Sequence, residues 1–218
     1  MILLLIITLI QCIVNLTCYI SDLTTRPFVI SIASISGGGK TTVTTSLKER
    51  LINSFALYWD DYGDEVYLNR DINEWAADGC NHNEWYTEPF AIDVEGLLAK
   101  PYDYLLLDYP FGYLNDRVGE HINLTVYINT PLDVALSRRI IRDYTSRSNE
   151  SEFGLADIEE TSLAAIDKEL RFYLNHSWPT YACMAETHIP STDLVLDGTK
   201  PHHQIVDMII DYINNKLG

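Results

Sequence analysis

The sequence predicts an α/β fold in which a doubly wound, mostly parallel sheet of five strands carries helices on both faces. Five short apolar runs lack the two-residue alternation of half-exposed strands, which is typical of strands buried on both sides. Segments with helical periodicity lie between these runs, and that alternation favours a doubly wound sheet. The five predicted strands are residues 28–33, 55–59, 104–107, 124–128 and 194–196.

Apolar spacing predicts four helices between and after these strands. Residues 41–53 place Val43, Leu47 and Leu51 four positions apart, as one face of a helix requires. A second helix, 131–144, opens with Pro131, a residue favoured in the first helical turn. The remaining two predicted helices are an acidic amphipathic one over 155–175 and a C-terminal one over 202–217.

Composition limits the class of protein and of partner. The 218 residues suit one α/β domain, and 47% hydrophobic with 21% charged residues is typical of a globular chain. The formal net charge is −16, which repels nucleic-acid phosphates, so no nucleic-acid partner is expected. A polyanionic ligand would need a local cluster of basic residues.

A glycine-rich phosphate-binding loop follows the first strand. Residues 34–42 read S-I-S-G-G-G-K-T-T and match the end of the pattern G-x-x-x-x-G-K-[ST], with Ser34 in place of its first glycine. Glycines let the backbone approach phosphate closely, and the following helix presents its N-terminal N–H groups to the anion. The loop therefore predicts a P-loop NTPase whose ATP-binding residues are Ser36, Gly37, Gly38, Gly39, Lys40, Thr41 and Thr42.

Acidic residues follow two further strands. Asp60 and Asp61 end the second predicted strand, and Asp108 ends the third. Ligands of an open parallel sheet bind beyond the carboxyl ends of its strands, so these carboxylates are expected beside the phosphates. Carboxylate and hydroxyl oxygens suit Mg²⁺, and the predicted metal ligands are Thr41, Asp60 and Asp108.

From about residue 28 to 215 the chain resembles the uridine kinase and nicotinamide riboside kinase family of P-loop kinases. The P-loop with its doubled threonine, the Asp60-Asp61-Tyr62 segment, residues 131–142 and residues 196–200 are similar to that family's motifs. The resemblance implies that Asp60 is the catalytic base and approaches Mg²⁺. It also implies a helical lid over 131–142, and a segment, Asp197, Gly198 and Thr199, that passes the adenine.

The resemblance assigns further roles and an activity. In the predicted lid, Arg138 and Arg142 serve ATP, whereas Arg139 serves the substrate; the three also supply the required basic cluster. The implied reaction is ATP- and Mg²⁺-dependent phosphorylation of a nucleoside hydroxyl, of the uridine or cytidine type. The catalytic residues are then Lys40, Asp60 and Arg139, and the substrate-binding residues are Asp60, Asp61, Tyr62, Trp85, Tyr86 and Arg139.

Two departures from the family keep alternatives open. Thr87 stands where the family has a sugar-binding acid, so Asp93, Glu84 or Asn83 is expected to replace it. Asp108 stands in place of a glutamate, which keeps the charge and shortens the reach. The alternatives are a kinase for another small molecule, such as nicotinamide riboside, pantothenate or a sugar, and a nucleotide-binding module without catalysis.

The first 25 residues are expected to lie outside the kinase domain, which is assigned to residues 26–218. They are almost unbroken apolar sequence, and three interpretations stay open: a membrane anchor, a signal, or an extension from a wrongly chosen start. A cytoplasmic catalytic domain is expected, with membrane contact or anchoring only through residues 1–25. The four cysteines have no metal-binding spacing and are expected to be reduced, and no particular oligomeric state is predicted.

Overall fold

The computed structural model describes residues 26–145 and 160–217 and has the predicted parallel sheet. The strands of the described residues are β1 (Phe28–Ala33), β2 (Ser54–Tyr58), β3 (Tyr67–Leu68), β4 (Trp85–Tyr86), β5 (Tyr104–Asp108), β6 (Leu124–Asn129) and β7 (Leu194–Asp197). The order of the five main strands is β2-β5-β1-β6-β7, and every pairing among them is parallel. Two short strands, β3 and β4, form a separate antiparallel ribbon.

Helices cover both faces of this sheet. In the described part of the chain the α-helices are α1 (Lys40–Arg50), α2 (Ile72–Ala77), α3 (Glu88–Leu98), α4 (Asp116–Gly119), α5 (Leu132–Ile140), α6 (Glu160–Phe172), α7 (Trp178–His188) and α8 (His202–Leu217). A turn of π-helix, Ile141–Thr145, continues α5, and another, Tyr173–Ser177, joins α6 to α7.

Each face of the sheet packs into its own core. One core is aliphatic and lies under α1 and α8, with Val43 and Ile209 against the central strands. The other is rich in aromatic residues, among them Trp75, Phe90 and Tyr109, all fully buried. Burial on both faces explains why the central strands read as continuous apolar runs in the sequence.

The helix boundaries differ from the predicted ones where the backbone leaves helical geometry. Helix α1 ends at Arg50 and not at residue 53, because Leu51 is extended and Asn53 has a positive φ of 54°. Pro131 precedes α5 as its N-cap instead of occupying its first turn. Part of the predicted helix 155–175 falls on residues that the structure does not describe; α6 covers the part from Glu160 onward.

The expectation of reduced cysteines is wrong for two of the four. Cys80, which follows α2, forms a disulfide with Cys183 on α7. The two Cα atoms are 6.3 Å apart because α2 and α7 pack against each other. The partners are separated by 103 residues, so no local spacing in the sequence indicated the pair. Cys12 and Cys18 belong to the undescribed N-terminal residues.

The apolar segment 1–25 likewise lies outside the described residues, so its boundary with the kinase domain stays a prediction. Among residues 26–145 and 160–217, none of the helices combines the length and the apolar character that crossing a membrane requires.

Candidate active site

The phosphate-binding loop joins β1 to α1 and is fixed by main-chain and side-chain contacts. Gly37 and Gly39 have φ values of 80° and 105°, which residues with a Cβ rarely adopt. The Gly38 N–H donates to the Ile35 carbonyl at 2.9 Å, and the Thr130 hydroxyl donates to the Gly38 carbonyl at 2.9 Å. The loop is therefore held open at the N-terminus of α1, as anion binding requires.

Ser34, the departure from the P-loop pattern, is built into the fold beneath the loop. It is 1% exposed, and its hydroxyl donates to the Ile128 carbonyl on the adjacent strand β6 at 2.7 Å. A Cβ on Gly38 would overlap the Ser34 side chain, so the glycine at 38 is what leaves room for the serine. The substitution thus replaces a flexible position with a hydrogen bond to the sheet.

Lys40, Thr41 and Asp108 form a compact charged group at the start of α1. The Thr41 hydroxyl donates to Asp108 Oδ2 at 2.6 Å, and Lys40 Nζ lies 3.9 Å from Asp108 Oδ1. Burial raises the pKa of Asp108, while the Lys40 charge and the Thr41 hydrogen bond lower it, and the charges of Asp60 and Asp61 add to the rise. Asp108, the acid that ends the third predicted strand, therefore lies beside the P-loop, where its strand position placed it.

The oxygen atoms of this group fit a hard divalent cation. Asp108 Oδ1 is buried and has no hydrogen-bond partner in the described residues, and the Thr41 hydroxyl oxygen is adjacent to the same carboxylate. Within the described ranges, no cluster of three or more His, Cys, Asp or Glu residues could hold a metal. Mg²⁺ is commonly held by one or two protein oxygens together with substrate phosphates, so this donor set suits it.

Asp60 and Asp61 lie in the helical turn Trp59–Glu65 that directly follows β2. Both are exposed, but only Asp60 contributes to the lining of the main cleft described below. Trp59 anchors the turn, since its ring makes edge contacts with Phe90 and Tyr109 in the aromatic core. The strand end thus turns Asp60 toward the P-loop, as its position after a parallel strand predicted.

A cleft of about 560 Å³ runs from Asp60 over the P-loop to the start of α8. All seven residues predicted for the phosphate loop line it, as do Arg138, Arg142, Gly198 and Thr199. Five further residues line it that were not predicted as ATP-binding: Val43, Lys200, Pro201, His202 and Ile205. Of these, Lys200 belongs to the family-like segment 196–200.

Asp197, predicted as an ATP-binding residue, is turned into its own loop. Its Oδ1 accepts hydrogen bonds from the Thr199 N–H at 2.9 Å and from the Thr199 hydroxyl at 2.7 Å. The residue lines a separate shallow depression with Asn129 and Pro131 instead of the main cleft. Its visible role is to shape the loop that carries Gly198 and Thr199.

The three lid arginines point to different partners. Arg138 Nη2 donates to the Gly198 carbonyl at 3.0 Å, which ties α5 to the loop that follows β7. Arg142 is held by both carboxylate oxygens of Asp143, at 2.6 and 3.0 Å, and this hydrogen bonding raises the Arg142 pKa. Arg139 lies deeper, paired with Glu169, and is absent from the cleft lining.

Of the six residues predicted to bind the substrate, Asp60 is the one that lines the cleft. The Tyr62 hydroxyl donates to Asp93 at 2.5 Å, and burial raises the pKa of this tyrosine, with Asp93 adding to the effect. Tyr86 is exposed and packs on Tyr67 across the β3–β4 ribbon. Trp85 instead turns inward, and its ring packs against Phe111 in the aromatic core.

Thr87, at the position of the family's sugar-binding acid, is buried beside the same ribbon. Its hydroxyl donates to Asn115 Oδ1 at 3.1 Å, and the Asn115 side-chain amide donates to the His82 carbonyl at 2.9 Å. At this position the chain therefore has a neutral hydroxyl that is hydrogen-bonded to Asn115, where the resemblance implies a carboxylate.

Comparison with known proteins finds similarity to uridine kinases. Residues 80–167 match the model of the Phosphoribulokinase / Uridine kinase family. A uridine kinase of Borrelia hermsii is 29% identical over 147 residues, which cover 57% of this chain and 71% of the relative. A chloroplastic uridine/cytidine kinase of Arabidopsis thaliana is 22% identical over 231 residues, covering 88% of this chain and 42% of the relative.

A solved structure, that of APE1195, superposes with a TM-score of 0.50 at 15% identity and covers 87% of this chain and 96% of its own. At that identity the likeness concerns the fold alone. The family match over residues 80–167, the uridine kinase relatives and the parallel sheet with its P-loop thus agree in making this chain similar to uridine kinases and to other P-loop kinases.

Proposed function

We propose that this chain transfers the γ-phosphate of ATP to a hydroxyl of a nucleoside of the uridine or cytidine type. The observation that carries the proposal is the single cleft in which Asp60, the P-loop and two lid arginines converge. A protein that only binds a nucleotide needs the loop and a metal ligand such as Asp108, whereas a second carboxylate that can take the acceptor's proton, Asp60, is needed only for transfer. The uridine kinase relatives support the class of acceptor.

The proposed chemistry is in-line transfer between the two substrates. Asp60 accepts the proton of the acceptor hydroxyl as its oxygen bonds to phosphorus and the bond to the ADP oxygen breaks. Lys40 and the loop N–H groups offset the phosphate charge, and the lid arginines stabilise the charge on the moving phosphoryl group. Mg²⁺, held by Asp108, Thr41 and Asp60, would supply further charge neutralisation on the phosphates.

A coupled ATP-consumption screen tests the proposal. We expect ADP release to depend on uridine or cytidine, and we expect Lys40→Ala to retain less than about a tenth of it, because phosphate electrostatics contribute several kcal/mol to transfer. The variant should keep its far-UV circular dichroism, since Lys40 lines the cleft and its ion-pair partner is Asp108. Nicotinamide riboside, pantothenate and sugars belong in the same screen as rival acceptors.

The second candidate is a nucleotide-binding module without catalysis, and one observation favours it. The neutral Thr87–Asn115 pair occupies the place of the family's sugar-binding acid. Under this alternative the protein would bind ATP, measured by calorimetry, yet release no ADP with any acceptor. Acceptor-dependent ADP release that Asp60→Asn abolishes would eliminate it.

We propose a cytoplasmic location because the reaction needs ATP, but the disulfide favours an oxidising compartment, where disulfides persist. The disulfide joins two cysteines that are 103 residues apart in sequence, and Cys80 is buried. Non-reducing peptide mapping of protein isolated from its native cells decides between the cytoplasm and an oxidising compartment. A free thiol at both positions would support the cytoplasm.

A further inference from the structure

Arg139 is enclosed on two sides, unlike the other lid arginines. Its aliphatic stem lies on the P-loop, because a Cβ on Gly37 would come within 2.8 Å of Arg139 Cγ. Gly37 also has a positive φ of 80°, so the loop can accept this stem only with a glycine there. Arg139 therefore joins the lid helix to the phosphate loop through packing.

The head of Arg139 is held from the opposite side by α6 and α7. Its Nη2 donates to Glu169 Oε1 at 2.5 Å, and its Nη1 to the Tyr181 hydroxyl at 3.4 Å. The Arg139 and Glu169 side chains are only 15% and 17% exposed, so water screens this pair weakly. By contrast, the Asp167–Arg171 pair on the same helix is 62% and 73% exposed.

One donor of this guanidinium is left without a protein partner. Arg139 Nε is buried, and the described residues offer it no acceptor. A buried N–H of a charged group is costly to leave unpaired. Its orientation is fixed by the stem on Gly37 and the head on Glu169, so the unused donor is held ready for an anionic group beside the P-loop.

We propose that Glu169 is a positioning residue for phosphoryl transfer, which fixes Arg139 between the P-loop and α7 so that its unpaired Nε N–H stays beside the loop that holds the transferring phosphate. The inference rests on the proposed function. Arginine has many rotamers, and a guanidinium oriented before the reaction does not lose that freedom in the transition state. Glu169 acts through Arg139 and not by contact with either substrate.

Kinetics of matched variants test the role. Glu169→Gln keeps the size but loses the charge, and we expect kcat to fall roughly ten- to a hundredfold, the range for a displaced catalytic group. The KM for ATP should change little, because the P-loop, Arg138 and Arg142, which line the cleft, are unaltered in this variant. Glu169→Asp should recover part of the rate. Asp167→Asn, which breaks an exposed pair on the same helix, should leave kcat unchanged.

A double variant separates positioning from folding. If Glu169 acts through Arg139, the Arg139→Ala/Glu169→Ala protein should be no slower than Arg139→Ala alone. Rates are normalised to the folded fraction, measured by circular dichroism. A Glu169→Gln protein with wild-type or higher kcat, or additive losses in the double variant, would overturn the proposal.

A second readout does not depend on catalysis. An arginine-selective dicarbonyl reagent, followed by peptide mass spectrometry, reports how freely Arg139 is accessible. Glu169→Gln should speed labelling of Arg139 several-fold, and Asp167→Asn should not. If the wild-type chain phosphorylates no acceptor, the proposed function fails, yet unchanged Arg139 labelling in Glu169→Gln would still refute the positioning contact.

Discussion

Acidification should destabilise this fold through a buried pair of histidines. His82 is 2% exposed, and its ring makes edge contacts with His188 at 4.9 Å and Trp75 at 5.3 Å. Its Nε2 has no hydrogen-bond partner in the part of the chain that the structure describes. Burial, with a smaller contribution from His188, lowers the pKa of His82 to about 3.

The sign of the effect follows from the two protonation states. Below its usual pKa of 6.5 the unfolded histidine takes up a proton, whereas the folded one stays neutral until about pH 3. Stability is therefore complete above about pH 7 and is lost as the pH falls from 6.5 toward 3. At pH 5.5 the loss from His82 is about 1.4 kcal/mol, and over the whole interval it reaches at most about 5 kcal/mol.

Urea unfolding at pH 7.5 and 5.5 measures this loss. The wild-type free energy of unfolding should fall by about 1.4 kcal/mol more than that of His82→Gln between the two pH values. Burial also lowers the pKa of His188, so some pH dependence should survive in the variant. His203→Gln, at an exposed position on α8, is the matched control. Equal pH dependence in wild type and His82→Gln would refute the reasoning.

Three further predictions concern the site and its frame. Asp60→Asn should lower nucleoside-dependent ADP release at least about 10²-fold, and Asp61→Asn much less, because of the two only Asp60 lines the cleft. A larger loss in Asp61→Asn would mean that Asp61, and not Asp60, is the general base. Asp93→Asn should raise the KM for the acceptor and leave that for ATP unchanged, while Glu84→Gln, which breaks a pair with Arg70, should alter neither. Cys183→Ser should lower the free energy of unfolding by about 2–4 kcal/mol, and a reductant should lower that of the wild type equally; a wild type insensitive to reductant would contradict the disulfide's role.

The sheet and the edge that carries the site were predictable from sequence because their causes are local. Strands buried on both faces, such as β5, show as unbroken apolar runs, and parallel topology then brings Asp60 and Asp108 to the edge where the P-loop lies. The position of Asp108 beside the P-loop residue Lys40 followed from that topology. The end of α1 was not predicted correctly, because it depends on the backbone conformation of Leu51 and Asn53.

Features that depend on distant partners were not predictable. Ser34 was recognised as a departure from the P-loop pattern, but its hydrogen bond could not be foreseen, because the acceptor, the Ile128 carbonyl, lies 94 residues away. The Cys80–Cys183 pair and the Arg139–Glu169 pair likewise join segments that only the fold brings together. The resemblance implied that Trp85 binds the substrate, but a strand of two residues has no periodicity that could tell its inward side from its outward side.

The packing around Thr87 narrows the choice of the residue that replaces the family's sugar-binding acid. Of the three candidates, Asn83 is engaged with Asp116 through both its amide nitrogen, at 2.9 Å, and its oxygen, at 2.7 Å. Glu84 is paired with Arg70 at 3.1 Å. Asp93 is exposed and accepts a hydrogen bond from Tyr62, two residues after Asp60. Since Asp93 is linked through Tyr62 to the segment that bears the proposed base, we propose that Asp93 takes the role of the missing sugar-binding acid.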